Sequence, residues 1–224
     1  MTNPKSKIQN PQWSIFPVRL LVYLVLIGLA LMAEVRLVLN LGFRKVLLEN
    51  AVVEWVSVGL CALTVLVFVL VVVADRQRRG LAVVLAILAG AACVREMDFL
   101  LTSCLSESVY HLLFGLVLLI ALVLAVVRRR SILQEGKSLL ERPSFVLLLF
   151  GFAMVTFWAQ VLGQRELWGY FTKVYGPIDA DGVKRMVEES LELIGYFLIF
   201  FGAVEELIIK PKPKESQPNE DRRE

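Results

Sequence analysis

One histidine, His111, stands in the whole chain, and three cysteines, Cys61, Cys93 and Cys104. A single imidazole excludes bis-histidine haem, and no His-x-x-x-His pair is present for a receptor-like zinc hydrolase. HExxH, GxSxG and phosphate-binding P-loop patterns are likewise missing. An odd cysteine count without paired spacing argues against a disulfide framework or a CxxC metal site. Cys61 and Cys93 read as small core-filling residues. The chain also lacks any long polar stretch in which a separate soluble domain could fold.

Instead the chain is rich in long apolar runs. Apolar residues make up 57% of its 224 positions, beyond what a soluble domain of this size carries. Six runs, at about 17–40, 51–74, 80–101, 109–127, 144–163 and 187–209, reach the roughly 20 residues that a bilayer-spanning helix needs. Lipid offers the backbone no hydrogen-bond partners and no barrel-type alternation is visible, so all six should be helices. The expected architecture is all-α: six transmembrane helices in one bundle over 17–209, a cytoplasmic segment 1–16, and a disordered cytoplasmic tail 210–224. The first run has Glu34 and Arg36 near its far end and no small-x-small cleavage site before them, so it reads as an uncleaved span.

Charge in the connecting segments alternates. Lys5, Lys7 and Arg19, the stretch "DRQRRG", the loop opening on Arg128–Arg130 and the tail "KPKPKESQPNEDRRE" hold 16 of the 24 Lys and Arg. The opposite loops, 42–50, 102–108 and 164–186, hold six, offset by Glu49, Glu107, Glu166, Asp179 and Asp181. The positive-inside rule then puts both termini in the cytoplasm, in a bacterial inner membrane. On that reading the net charge of +3 reflects topology and not nucleic-acid binding. The tail, rich in Pro, Lys and Glu, has a weak attraction to anionic lipid in prospect.

With this orientation the intramembrane polar groups fall at one outer level. Glu54, His111, Glu188, Glu189 and Glu192 lie in the first turns of spans 2, 4 and 6. Arg36, Asn40, Arg95, Glu96, Asp98, Gln160 and Gln164 lie in the last turns of spans 1, 3 and 5. Only Glu205 and Glu206 sit at the other end. On span 6, Glu188, Glu192, Gly195, Ile199 and Gly202 share a stripe where glycines permit close helix approach. Glu54, Ser57 and Cys61, and Thr156, Gln160 and Gln164, form two more small or polar stripes. An ionised carboxylate deep in lipid costs on the order of 3 kcal/mol, so these faces should turn to protein or water. Glu188 and Glu189 also read as an acidic helix start, favourable to the helix dipole. Arg95 and Asp98 at i, i+3 read as a structural clamp as readily as a site.

Two further patterns are "ENAVVEW" (Glu49, Glu54, Trp55) and "VREMDF" (Arg95, Glu96, Asp98), followed by "VEESLEL" (Glu188, Glu189, Glu192). In these stretches the chain resembles a loose group of uncharacterised bacterial multi-pass membrane proteins. In that group a Glu-x-x-x-x-Glu-Trp stretch opens one span and an acidic Arg-Glu-x-Asp or Glu-Glu patch ends the next. The resemblance implies a site at these positions and carries no activity with it.

Three functions fit. The first is a binding or enzymatic site: Glu54, Glu96, Asp98, His111, Glu188 and Glu192 would hold one divalent metal ion, or Glu96, Asp98 and Glu192 would act as acid and base. Arg95, Gln160, Gln164 and Glu189 would form its polar shell, and a lipid-linked or periplasmic small molecule would be the ligand. The second is proton- or cation-coupled transport, which the lack of polar residues in the inner half of the spans weakens. The third is an accessory protein whose polar cluster only holds the helices in register. The outer loop 164–186, with Trp168, Tyr170, Phe171 and Tyr175, should lie on the membrane or cover the site.

Overall fold

A computed structural model describes residues 11–42, 46, 52–75, 78–175 and 180–209. Among the described residues every regular element is helical. The helices are α1 (Pro11–Leu41), α2 (Val52–Ala74), α3 (Arg79–Glu96), α4 (Asp98–Cys104), α5 (Glu107–Val127), α6 (Arg129–Leu140), α7 (Pro143–Leu162), α8 (Arg165–Tyr175) and α9 (Ala180–Ile208). Four of them, α1, α2, α5 and α7, are long and apolar enough to cross a membrane. Lys5, Lys7, Glu49, Arg76, Asp179 and the tail 210–224 lie outside the described residues.

Boundaries depart from the apolar runs at informative places. The first helix begins at Pro11, carries Pro17 within it, and ends at Gly42, whose φ of +86° is the left-handed conformation that glycine adopts without steric cost. The third run, 80–101, is not continuous. It breaks at Met97, so Glu96 closes α3 and Asp98 opens α4. Asp98 therefore sits in a first turn, where a carboxylate is favourable, and not at a helix C-terminus. The last helix starts at Ala180, so Glu188, Glu189 and Glu192 lie two turns or more inside it. An acidic helix start does not explain them; Asp181 occupies that position. The loop 164–186 is largely helical: α8 docks on α9, with the Trp168 indole donating to Leu162 O at 2.6 Å.

The 29 residues of α9 extend for roughly 43 Å at 1.5 Å per residue. Against it pack α2, α7 and, more loosely, α1, while α3 pairs with α2 and carries α5 on its other side. The buried residues of α3 are all small, Gly80, Ala82, Ala89 and Ala91, and a Cβ on Gly90 would lie 3.9 Å from Val65 Cγ2 of α2. At the start of α3 the Glu135 carboxylate of α6 accepts from Leu81 N at 2.6 Å, serving one of the amides a helix leaves free at its N-terminus.

The α7–α9 seam is the tightest. A Cβ on Gly195 would lie 2.5 Å from Val155 Cγ2 and 2.9 Å from Gly151 O. One on Gly202 would lie 2.7 Å from Leu148 Cγ. Opposite Gly195, α7 contains a π turn over Met154–Trp158, which brings Met154 and Val155 onto the glycine. The expected glycine stripe of the last helix is thus a packing seam.

Gly195→Val should destabilise the protein by about 1–3 kcal/mol, since a backbone oxygen blocks the new side chain. Gly115→Ala on α5, where a Cβ meets nothing within 4 Å, should be neutral or slightly stabilising. Thermal unfolding in detergent compares the two.

Candidate functional site

Two polar clusters pin the helices to α9, one near Glu192 and one near Glu206. At 1.5 Å per residue they are about 21 Å apart along its axis.

The Glu192 cluster centres on Arg95. Its guanidinium donates from Nε and Nη2 to Glu96 Oε1 at 3.1 and 2.8 Å, and Nη2 lies 2.7 Å from Glu192 Oε2. The Tyr196 hydroxyl accepts from Arg95 Nη2 at 3.1 Å and donates to Glu96 Oε1 at 2.7 Å. The Glu96 and Glu192 carboxylates and the Tyr196 ring are buried, while the Arg95 side chain is 34% exposed. Among the described residues the Nη1 group of Arg95 has no hydrogen-bond partner.

Around this quartet lie the other acids. Arg185 approaches Glu54 and Glu189, each at 3.5 Å, and Lys184 lies 3.5 Å from Glu188. On α1 the Glu34 carboxylate, buried, accepts from the Ser190 hydroxyl at 2.8 Å, and its Oε2 is buried without a partner among the described residues. Residues of α1, α2 and α3 therefore meet one end of α9. Among the described residues these contacts join three cations, Arg95, Lys184 and Arg185, to five carboxylates, Glu54, Glu96, Glu188, Glu189 and Glu192, while Glu34 is held by Ser190.

Several expected members are not in this cluster. His111 is exposed and lies 3.8 Å from Glu107; its neighbour Tyr110 takes the inward position, and one residue of helix turns a side chain about 100° around the axis. Asp98 is exposed because the chain restarts a helix after Met97. Gln160 and Gln164 are exposed: Gly151, Val155, Ala159 and Gly163 hold the buried positions, and the Thr156–Gln160–Gln164 stripe lies one residue beside them. The expected divalent-ion site is not supported, since among the described residues no group of three His, Cys, Asp and Glu is placed to hold a metal ion. The cations these carboxylates do meet are guanidinium and ammonium groups.

The Glu206 cluster was not anticipated. Glu206 accepts from Arg142 Nη1 at 2.7 Å and from the Ser144 hydroxyl, with Arg78 Nη1 at 3.4 Å. Arg78 also donates to Asp75 Oδ2 at 2.6 Å, to Glu206 O at 2.8 Å and to Ile209 O at 2.6 Å, serving carbonyls at the end of α9. Glu205, fully buried, has Arg19 Nε at 2.8 Å and accepts from the Tyr23 hydroxyl at 2.7 Å. Here three arginines meet three carboxylates. The sequence signal was adjacent Glu205 and Glu206 in an apolar helix, opposite arginines that had been read only as topology markers.

Between the clusters, α2, α3, α5, α7 and α9 enclose a cavity of about 400 Å³. Its walls are apolar, with Phe114, Leu118, Leu148 and Phe152 among them, and Arg95 and Tyr196 lie at its polar end. It opens sideways between α5 and α7, where the lining residues Leu149 and Phe152 are also exposed on the outer surface.

Compared with known proteins, the chain matches no family model, no curated protein and no solved structure.

Glu206→Ala should strand two buried guanidinium groups and lower stability by about 3–5 kcal/mol. Glu107→Ala, which removes an exposed pair with His111, should change it by under about 1 kcal/mol. Unfolding of both variants in the same detergent checks the contrast.

Proposed function

We propose that the chain is a six-span protein of a bacterial cytoplasmic membrane with both termini in the cytoplasm, and that the Arg95–Glu96–Glu192–Tyr196 quartet is a periplasm-facing site for acid–base chemistry. Counting α3 and α9 as spans gives six crossings. Both carry the charges of the two clusters, and paired charges at helix ends suit the interfacial levels of a bilayer. Membership of the multi-pass group is part of the same reading.

The observation that carries it is the ratio of two buried carboxylates to one guanidinium at the end of a cavity. One negative charge is left over in a site largely removed from water, and that is costly unless a proton or a ligand's charge relieves it. Glu96 and Glu192 are the groups that exchange that proton, Arg95 holds them together, and Tyr196 is the hydroxyl through which Glu96 senses the cavity. The acids of Glu54, Glu188 and Glu189 add negative potential around the site. Coupled transport is less well supported, because α9 carries only apolar residues and glycine from Phe197 to Val204.

Infrared difference spectra of the full chain in nanodiscs, stepped between acidic and alkaline buffer, test the chemistry. A titrating carboxyl band in wild type should be lost in Glu192→Gln or Glu96→Gln while the fold persists. Unchanged titration with a stability loss near 3–5 kcal/mol would make the quartet a helix clamp instead.

Topology has its own check. Cys104, exposed at the end of α4, should react with a membrane-impermeant maleimide added to intact spheroplasts, and buried Cys61 should not. Labelling of Cys104 only after lysis would invert the orientation.

A further inference from the structure

We infer that the cavity binds a single-chain amphiphile with a neutral, hydrogen-bond-accepting head such as an ester carbonyl, its chain between α5 and α7 and its head at Arg95. This rests on the acid–base reading of the quartet and names the substrate class for it.

Shape and lining select the chain. The cavity follows α3 from Arg95 to Leu85, ten residues or about 15 Å. Its volume of about 400 Å³ falls within the range of small-molecule sites. Spread over that length the space is narrow, which suits an extended chain better than a compact ring system. Apart from Arg95, its polar lining is sparse: the hydroxyls of Thr64, Thr156 and Tyr196, and the Cys61 thiol. The Thr64 hydroxyl already donates to Leu60 O at 2.7 Å and that of Thr156 to Phe152 O at 2.8 Å, so both are spent on their own helices. Hydrocarbon is the chemistry such walls accept.

Charge selects the head. Arg95 lines the cavity, and among the described residues its Nη1 has no hydrogen-bond partner, since Nε and Nη2 serve Glu96, Glu192 and Tyr196. A donor at the end of an apolar slot calls for an acceptor. An anionic head would add to the two carboxylates beside it, and a cationic head would face the guanidinium that lines the cavity. A neutral carbonyl or hydroxyl oxygen meets neither objection. The lateral opening between α5 and α7 lets such a molecule enter from the bilayer without its chain crossing water.

The test uses the full chain in phosphatidylcholine nanodiscs with a long-chain monoacylglycerol carrying a mid-chain diazirine. After photolysis, cross-links should map to Leu118, Leu148 and Phe152. Excess unlabelled monoacylglycerol should compete, and the fatty acid and alkylamine of the same chain length should not. Ala92→Phe, which fills the cavity beside Arg95, should cut labelling about tenfold or more, equivalent to about 1.4 kcal/mol of affinity. Leu148→Trp, filling it from α7, gives the same readout if the first variant does not fold. Labelling spread over the lipid-facing residues of α1, or insensitive to both fillings, would show annular lipid and overturn the site. Equal competition by the fatty acid or the amine would overturn the head-group assignment. Expected labelling with no titrating carboxyl assignable to Glu96 or Glu192 would remove the acid–base reading and leave the chain site standing.

Discussion

A carboxylate taken out of water must find a cation or give up its charge, and α9 carries three buried ones: Glu192, Glu205 and Glu206. Most of the described architecture can be derived from how they are met. Glu205 recruits Arg19 and so ties α1 to a helix it otherwise touches loosely. Glu206 recruits Arg142 at the start of α7 and Arg78 at the start of α3. Glu192 recruits Arg95 at the far end of α3. Two ion pairs thus hold α3 to α9 at both ends, while its packing partner is α2. The glycine seam with α7 then fixes the remaining distance.

Segment type and location were readable from hydropathy alone, since runs of about 20 apolar residues admit few alternatives. The common depth of Glu54, Arg95, Glu96, Glu188, Glu189 and Glu192 was also legible, because up-and-down helices bring alternate ends together. Depth is a one-dimensional property that a sequence carries. Direction around the helix axis is not, wherever the helix is irregular. A break at Met97 turned Asp98 outward, and Gln160 lies one residue beside the buried line of Gly151, Val155 and Ala159. His111 failed for a simpler reason: Tyr110 beside it took the inward face. Tyr196 was invisible as a site residue because an aromatic among Gly195, Phe197 and Leu198 reads as packing until its hydroxyl is placed against Glu96.

Arginines were the other blind spot. Arg78 and Arg142 obey the positive-inside pattern whether or not they touch anything, so their charge explained itself too early. Nothing in their spacing shows that they converge on Glu206 from two different loops, since that depends on how α3 and α7 pack against α9. The same holds for Arg19, near the start of a helix whose surroundings are mostly apolar.

The two clusters differ in a way that bears on function. At the Glu206 end, three arginines meet Asp75, Glu205 and Glu206, the charges balance, and helix-terminal carbonyls are served as well. Such a cluster holds helices together. At the Glu192 end the described contacts join five carboxylates to three cations, and the central arginine lines a cavity. A protein that needed only a second helix tie there would be served better by balance, as its other end demonstrates. Excess acid beside an apolar cavity is a costly arrangement, and that cost is what supports the proposed acid–base site.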